Sequence, residues 1–460
     1  MPDRHLRRML GAILVAALLT GAVPALPVAG GRTIPVRAGE IAIAVDGTRT
    51  VELSFAASHV AIYWRGAHDA EVRVALGDTN GSFGQPFRVV HDEVGEQRGN
   101  GITYGQVTPA GGARFARLTS DRPIGRLWVL ALDSGSPGGA LVSFGAGTAA
   151  AAVEQPGVIS RSAWGADESL RYQPDGSETW PRTFFPIQKL ILHHTATRNA
   201  DPDPAATVRS IYYYHAITQG WGDVGYNFLI DEQGRIYEGR YSRQYAAGES
   251  PTGEDTAGNG VVGAHVAGYN SGTMGVALLG TLTNLDATSA ARDALERLLA
   301  WKAERHAIDP LGSSLYSNPV NGSQRTFANI SGHRDLAATE CPGGTFYTTF
   351  PSLRQAVASR IAGGPVATVP EAPLLSASVR KGSVSLVWSV PADGGSAITG
   401  YRIYRATGKG ATVLLAQVAG STTSYVDRAV KRGKKYTYTL RAVNGVGAGP
   451  SSNAVKVTAR

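Results

Sequence analysis

The chain has 460 residues, of which 43% are hydrophobic and 17% charged, a globular balance that accommodates about three domains and excludes a polymer too polar to fold. Its one cysteine excludes an internal disulfide. The net charge of +8 is unevenly placed: from Ser376 onward 13 Lys/Arg face two acids, so the last segment carries +11 and the remainder −3.

Arg4, Arg7 and Arg8 precede an apolar stretch from Met9 to Leu19, and Val23-Pro24-Ala25 or Pro27-Val28-Ala29 offers a cleavage site. Residues 1–29 are therefore expected to be a secretory signal. Thr20, Gly21, Pro24 and Pro27 interrupt the run before the ~20 residues a membrane span needs, so no stable span is expected after cleavage. Arg7-Arg8 weakly resembles a twin-arginine signal, a pair that ordinary signals share.

From 31 to 144, short runs alternate apolar and polar: Ile41 to Val45, Val51 to Phe55, Val60 to Trp64, Val72 to Val74. Leu127 to Leu132 is continuous. Asp-Gly and Asn-Gly turns separate the runs, which predicts an all-β domain, a sandwich or jelly roll. It carries no recognisable chemistry, and Tyr63, Trp64, Phe83 and Phe87 are expected in its core. A linker is expected at 145–156, where Gly and Ala dominate.

The segment 157–362 mixes both periodicities. Leu190 to His193 is a short buried-type strand, and Ala205 to Thr218 a helix with Val208, Ile211, Tyr212 and His215 on one face. Tyr226–Ile230 and Arg235–Glu238 flank a turn, Met274–Leu279 is a strand, and Thr288–His306 is an amphipathic helix burying Leu295, Leu298 and Leu299. The expected fold is a central α/β domain, a mixed sheet with packed helices. His215, on an apolar helical face, is expected to be a core residue. Two long polar stretches, Tyr241–Val262 and Leu311–Asn329, are expected to be loops.

A proline-bearing linker is expected at 363–371. The block 372–460 is all-β, with Trp388 on an early strand and tyrosines on later ones; with Asn444-Gly445-Val446-Gly447 it resembles a fibronectin type III domain, which implies a β-sandwich spacer or binding module. Its charge suits an anionic surface such as cell-wall polymers; no nucleic-acid motif is present, and no nucleic-acid partner is expected.

An unpaired thiol is an oxidation hazard in an exported protein, and metal ligation explains its retention. His333 lies eight residues before Cys341, and His193-His194 supplies a third donor. Successive strand residues face opposite ways, so only one of that pair can reach a given ion. Two imidazoles and a thiolate leave one position open, the pattern of catalytic zinc, suited to amide hydrolysis.

Four motifs occur in order: Ser160-Arg161-Ser162-Ala163-Trp164-Gly165, Leu192-His193-His194-Thr195, Gly220-Trp221-Gly222-Asp223 through Tyr226-Asn227-Phe228, and Gly332-His333-Arg334-Asp335 through Cys341-Pro342-Gly343. Together they resemble the peptidoglycan recognition protein family and its zinc N-acetylmuramoyl-L-alanine amidase relatives over 157–362. The resemblance implies Zn²⁺ on His193, His333 and Cys341, with His194 a non-ligand, and catalytic roles for Tyr226 and Thr339. It also implies peptidoglycan as partner and groove positions for His265, Asn270 and Arg240. The expected protein is a secreted, wall-associated amidase; a non-catalytic peptidoglycan-binding protein is the alternative. A glycosidase would need two facing carboxylates, which no motif supplies.

Overall fold

The computed structural model describes residues 33–91, 100–135, 153–246, 248–363, 369–394, 397–408 and 410–460. The expected signal segment 1–29 lies outside them, as do 145–152 of the first expected linker and 364–368 of the second.

In the N-terminal region, hydrogen bonding joins seven strands into one sheet. Its order is Arg37–Val45, Ile124–Asp133, Thr48–Arg65, Thr108–Ser120, Val72–Gly77 and Phe87–Arg88, with Ile102–Tyr104 also on Thr48–Arg65. The region is all-β, as expected, and its strands are joined by hydrogen bonds into one continuous sheet. The runs Val51–Phe55 and Val60–Trp64 merge into one 18-residue strand. Register shifts between Glu52 and His59 let that strand bend without ending.

Strand periodicity explains how the sheet is covered. Val60, Ile62 and Trp64 on one strand, with Leu127, Val129 and Ala131 on its neighbour, fill the sheet's own core. The alternate residues Ala61, Tyr63, Leu130 and Leu132 belong to a second core shared with Trp164, Ile211, Tyr212 and Tyr214. The continuous run Leu127–Leu132 is thus a strand buried on both faces, and the helix Pro204–Tyr213 supplies its second cover. Polar contacts seal the seam: His59 Nε2 lies 2.8 Å from Thr207 Oγ1, and Arg209 Nε donates to Ser134 O at 2.7 Å. Each fully buried large side chain there contributes about 1.5–3 kcal/mol, so the sheet is fixed to the central region.

The central sheet has the order Ile330–Gly332, Lys189–His194, Thr273–Leu278, Phe228–Ile230, Ile236–Glu238, Val158–Ile159. It is mixed, as expected: only the Phe228–Ile230/Ile236–Glu238 pair is antiparallel among the described neighbours. Helices Ser289–Arg305 and Phe350–Ile361 pack against Leu190, Leu192, Val276 and Leu278 on one face. Thr288 caps the first, its hydroxyl accepting from Ala291 N, and Leu295, Leu298 and Leu299 are fully buried. The helix Pro204–Tyr213 covers the other face and continues as a π-helical turn, Tyr214–Thr218, rather than as the expected uniform helix.

The second expected loop is ordered: Ser313–Ser317 and Gln324–Ala328 form a hairpin that buries Tyr316 and Phe327. The C-terminal region has two sheets, three strands (Leu375–Arg380, Ser383–Trp388, Ser424–Asp427) and four (Val413–Ala419, Ile398–Thr407, Lys435–Asn444, Val455–Thr458), around Trp388, Tyr401, Tyr438 and Leu440. That is the expected β-sandwich. No helix among the described residues is long and apolar enough to cross a membrane.

Candidate metal centre

Parity along Lys189–His194 selects the histidine. Leu190 and Leu192 enter the helix-packed core, so His193 faces the opposite way. The parallel neighbour pairs Leu192 with Gly332, which sets His193 beside His333 at the next step. Their ring centroids lie 4.8 Å apart. His194 turns to the other side, where its Nδ1 accepts from Leu282 N at 3.1 Å.

Cys341 arrives on a loop tied to the His333 turn. Arg334 N donates to Cys341 O at 2.9 Å, and Asp335 accepts from Gly332 N at 2.9 Å and from the Tyr347 hydroxyl. Gly343, at φ 99°, lets the loop press on Leu282, where a Cβ would meet the Leu282 carbonyl carbon at 2.3 Å. One donor atom from each of His193, His333 and Cys341 then falls within 4.8 Å of the others; Cys341 Sγ is 3.7 Å from His193 Nδ1.

A hydrogen-bond relay assigns the His193 tautomer. Thr273 Oγ1 donates to Tyr269 O at 2.6 Å, so it accepts from His265 Nε2, 3.3 Å away. His265 Nδ1 is then the acceptor for His193 Nε2–H at 3.1 Å, which leaves the His193 Nδ1 lone pair facing the thiol. Gly275 makes room for this arrangement, since a Cβ there would meet His265 Cγ at 2.4 Å.

Burial keeps every imidazole neutral. It holds His193 well below its ordinary range, assisted by His333, His265 and His194, and lowers His333 to about 4 and His265 to about 3. His333 Nε2 is buried without a hydrogen-bond partner, a cost of about 1–3 kcal/mol that a bound cation would remove. Two neutral imidazoles and a sulfur donor, with one orphaned nitrogen, fit zinc.

His333 and Cys341 border a cavity of about 270 Å³, also lined by Tyr226, Thr339 and His194, while His193 is fully buried. The Tyr226 ring lies 5.4 Å from that of His193 and is backed by His215. His215 is a core residue, as expected: its Nδ1 accepts from Gly225 N at 3.2 Å. Thr339 Oγ1 accepts from Cys341 N at 2.9 Å, so its hydroxyl proton remains for donation.

The expected groove residues are placed differently, and none of the three lines the cavity. His265 is fully buried behind His193. Arg240 is buried on Asp223, at 2.8 Å, with its guanidinium 3.8 Å over Trp180. Asn270 Oδ1 accepts from His265 N and Val266 N, both at 2.8 Å, and shapes the loop carrying His265. Asp223 organises this scaffold, binding Arg161 and Arg240 through its two oxygens. Thr273, Gly275 and Asp223 were not singled out by sequence reasoning; a glycine interrupting Thr273–Leu278 was the available signal.

The profile of the family described as N-acetylmuramoyl-L-alanine amidase matches residues 183–344, and that described as fibronectin type III domain matches 369–458. Peptidoglycan-recognition protein SC2 of Drosophila melanogaster is 31% identical over 188 residues, covering 40% of this chain and 80% of that protein. The N-acetylmuramoyl-L-alanine amidase of Homo sapiens is 32% identical over 200 residues, 42% of this chain but 27% of that longer protein. Among solved structures, wild-type Drosophila PGRP-LB aligns at 28% identity with a TM-score of 0.30, covering 42% of this chain and 92% of that one. By the identity and coverage shared with the SC2 protein, this chain belongs to the peptidoglycan-recognition protein and N-acetylmuramoyl-L-alanine amidase family and carries a fibronectin type III domain.

Proposed function

We propose that the protein is an exported, zinc-dependent hydrolase that cuts the amide bond between N-acetylmuramic acid and the L-alanine of the stem peptide. The observation that carries this reading is the convergence of His193, His333 and Cys341 within 4.8 Å, beside a cavity lined by His333, Cys341, Tyr226 and Thr339. The cysteine distinguishes a three-donor set from two histidines alone. Zinc bound by such a set supplies Lewis acidity, polarising an amide carbonyl and making water a competent nucleophile near neutral pH.

The chain's own residues supply the rest. His265 holds His193 in the tautomer that offers Nδ1. Tyr226 at the cavity wall donates its phenolic proton to the oxyanion that develops as the carbonyl is attacked. Thr339, its oxygen already engaged by Cys341 N, orients its remaining proton toward the same oxygen. Cleavage of an uncharged amide leaves a lactyl carboxyl on the sugar and the amine of L-alanine. Export is supported by the basic and apolar start of the chain, and wall association by the +11 charge of its last segment.

The test is mass spectrometry of purified peptidoglycan digested with the protein, with chelator and after zinc restoration. Free stem peptides beginning with L-alanine, lost on chelation and in Cys341→Ala, are expected. Binding of peptidoglycan without released peptide would instead assign a non-catalytic recogniser.

A further inference from the structure

The cavity at the metal donors is not built by the central region alone. Arg88, Val89, Val90, His91 and Gln106, all from the N-terminal sheet and its loops, line it opposite Tyr226 and Thr339. A second cavity of about 760 Å³ continues from it, sharing Arg88, Val90, Gln106, Ala196 and Thr281. It runs between the sheet, at Phe87 and Thr108, and the segment that follows the histidine strand, at Thr197 and Arg198. At about 270 Å³ the first cavity is smaller than the ~300–1,000 Å³ that encloses a compact organic ligand, so a peptide substrate has to extend beyond it. The second cavity is the continuation that adjoins it.

Its chemistry is one-sided. Arg88 and Arg198 line it, and among the described residues no Asp or Glu does. Some other cations of this region are neutralised: Arg73 by Glu71, Arg114 by Glu52, Arg122 by Asp69 and Asp121. Arg88 and Arg198 have no carboxylate partner among the described residues. The sheet cannot simply drift away from the site, because Tyr63, Leu130 and Leu132 share a core with Tyr212 and Tyr214.

We propose that the N-terminal sheet is the second wall of the substrate groove, and that Arg88 and Arg198 hold a carboxylate of an acidic stem peptide there. This rests on the amidase reading only for the identity of the ligand: the sugar strand is uncharged, whereas the peptide end carries carboxylates, and an arginine matches a carboxylate in a bidentate, charge-assisted pair. The sheet is then part of the binding site rather than a separate appendage.

The test is calorimetry with full-length protein in chelator, so that nothing turns over. The two probes are an N-acetylmuramoyl tetrapeptide with free carboxylates and the same compound with every carboxylate amidated. The native protein is expected to prefer the acidic probe. Arg88→Gln and Arg198→Gln are each expected to weaken that probe about five- to tenfold at low salt and to leave the amidated one unchanged. Arg88→Lys retains part of the preference, and Arg49→Gln, a cation of the same sheet that lines neither cavity, changes nothing. Unfolding midpoints of the variants guard against loss of the sheet. Equal loss for both probes, no loss for either, or tighter binding by Arg88→Gln overturns the proposal, the last by making the sheet an obstruction. Stem-peptide release is read separately. Arg88-dependent binding without cleavage removes the catalytic reading and leaves this one standing; cleavage with Arg88-independent binding does the reverse.

Discussion

His265 Nδ1 lies 3.1 Å from His193 Nε2, and the hydroxyl of Thr273 decides which of the two carries the proton between them. A metal donor is thereby oriented by a buried histidine on another segment. Partners of this kind typically change metal affinity 10–100-fold. His265→Ala is expected to lower zinc affinity by about that factor, read by competition with a chromophoric chelator. Gly275→Ala should act likewise, because the new methyl group occupies the place of the His265 ring. Native affinity in both variants would show that the His193 tautomer does not depend on the relay.

The donor set was legible because its residues are rare and ordered along the chain: one cysteine, a histidine eight positions before it, and an adjacent histidine pair on a strand. His265 was visible too, but its position was not. It belongs behind the site because Thr273–Leu278 pairs with Lys189–His194, and no local spacing encodes which strands become neighbours. The same holds for Leu127–Leu132, whose apolar run marks two covered faces without naming the cover. The hairpin at Ser313–Ser317 and Gln324–Ala328 was hidden by composition. Its polar residues outnumber Tyr316 and Phe327, which do the burying. The fibronectin type III region was easier, since its strands carry their own alternation and three of its five pairings join strands consecutive in sequence.

Zinc binding should be less sensitive to acid than an ordinary imidazole site. A histidine at its usual ~6.5 competes with metal for protons throughout pH 5 to 6. Here burial lowers His333 to about 4 and holds His193 well below its ordinary range, so both are already neutral in that range. Only the Cys341 thiol has a proton to lose. The logarithm of zinc affinity is expected to rise by about one unit per pH unit between pH 5 and 6. A slope approaching three would mean that the imidazoles titrate normally.

Asp223 is the buried anion on which two buried cations depend. Burial opposes its charge, but Arg161 and Arg240, with the N–H of Tyr241, hold its carboxyl below the usual range. Because the folded value is depressed, the stabilisation is complete above the unfolded value of ~3.9 and is lost as pH falls through the folded one. Asp223→Ala leaves Arg240 uncompensated and Arg161 with Glu168 alone, at a cost of about 3–5 kcal/mol. Urea unfolding at pH 7 measures the loss, and the variant should show a shallower decline of stability below pH 4.

The N-terminal sheet and the central region are expected to unfold together. Leu130 is 3% exposed and lies in the core that joins them, so Leu130→Ala should cost about 2–5 kcal/mol. Calorimetry should show one transition shared by the two regions, moved as a whole by the substitution. Two separate transitions, only one of them displaced, would mean that the seam is an ordinary domain contact.

Wall association is expected to depend on the turn Lys431-Arg432-Gly433-Lys434-Lys435, whose four cations are all exposed. None of the four is paired with a carboxylate among the described residues, and the whole region contains two acids. An anionic polymer would meet them as a cluster, with attraction reaching about 30 Å at 0.01 M salt and about 8 Å at 0.15 M. Replacing all four with glutamine should therefore reduce co-sedimentation with cell walls strongly at low salt and weakly at high salt. It should leave stem-peptide release from soluble fragments unchanged, because the turn lines neither cavity near the metal donors. Unaltered sedimentation at low salt would reduce the C-terminal region to a spacer, and its positive charge to a matter of solubility.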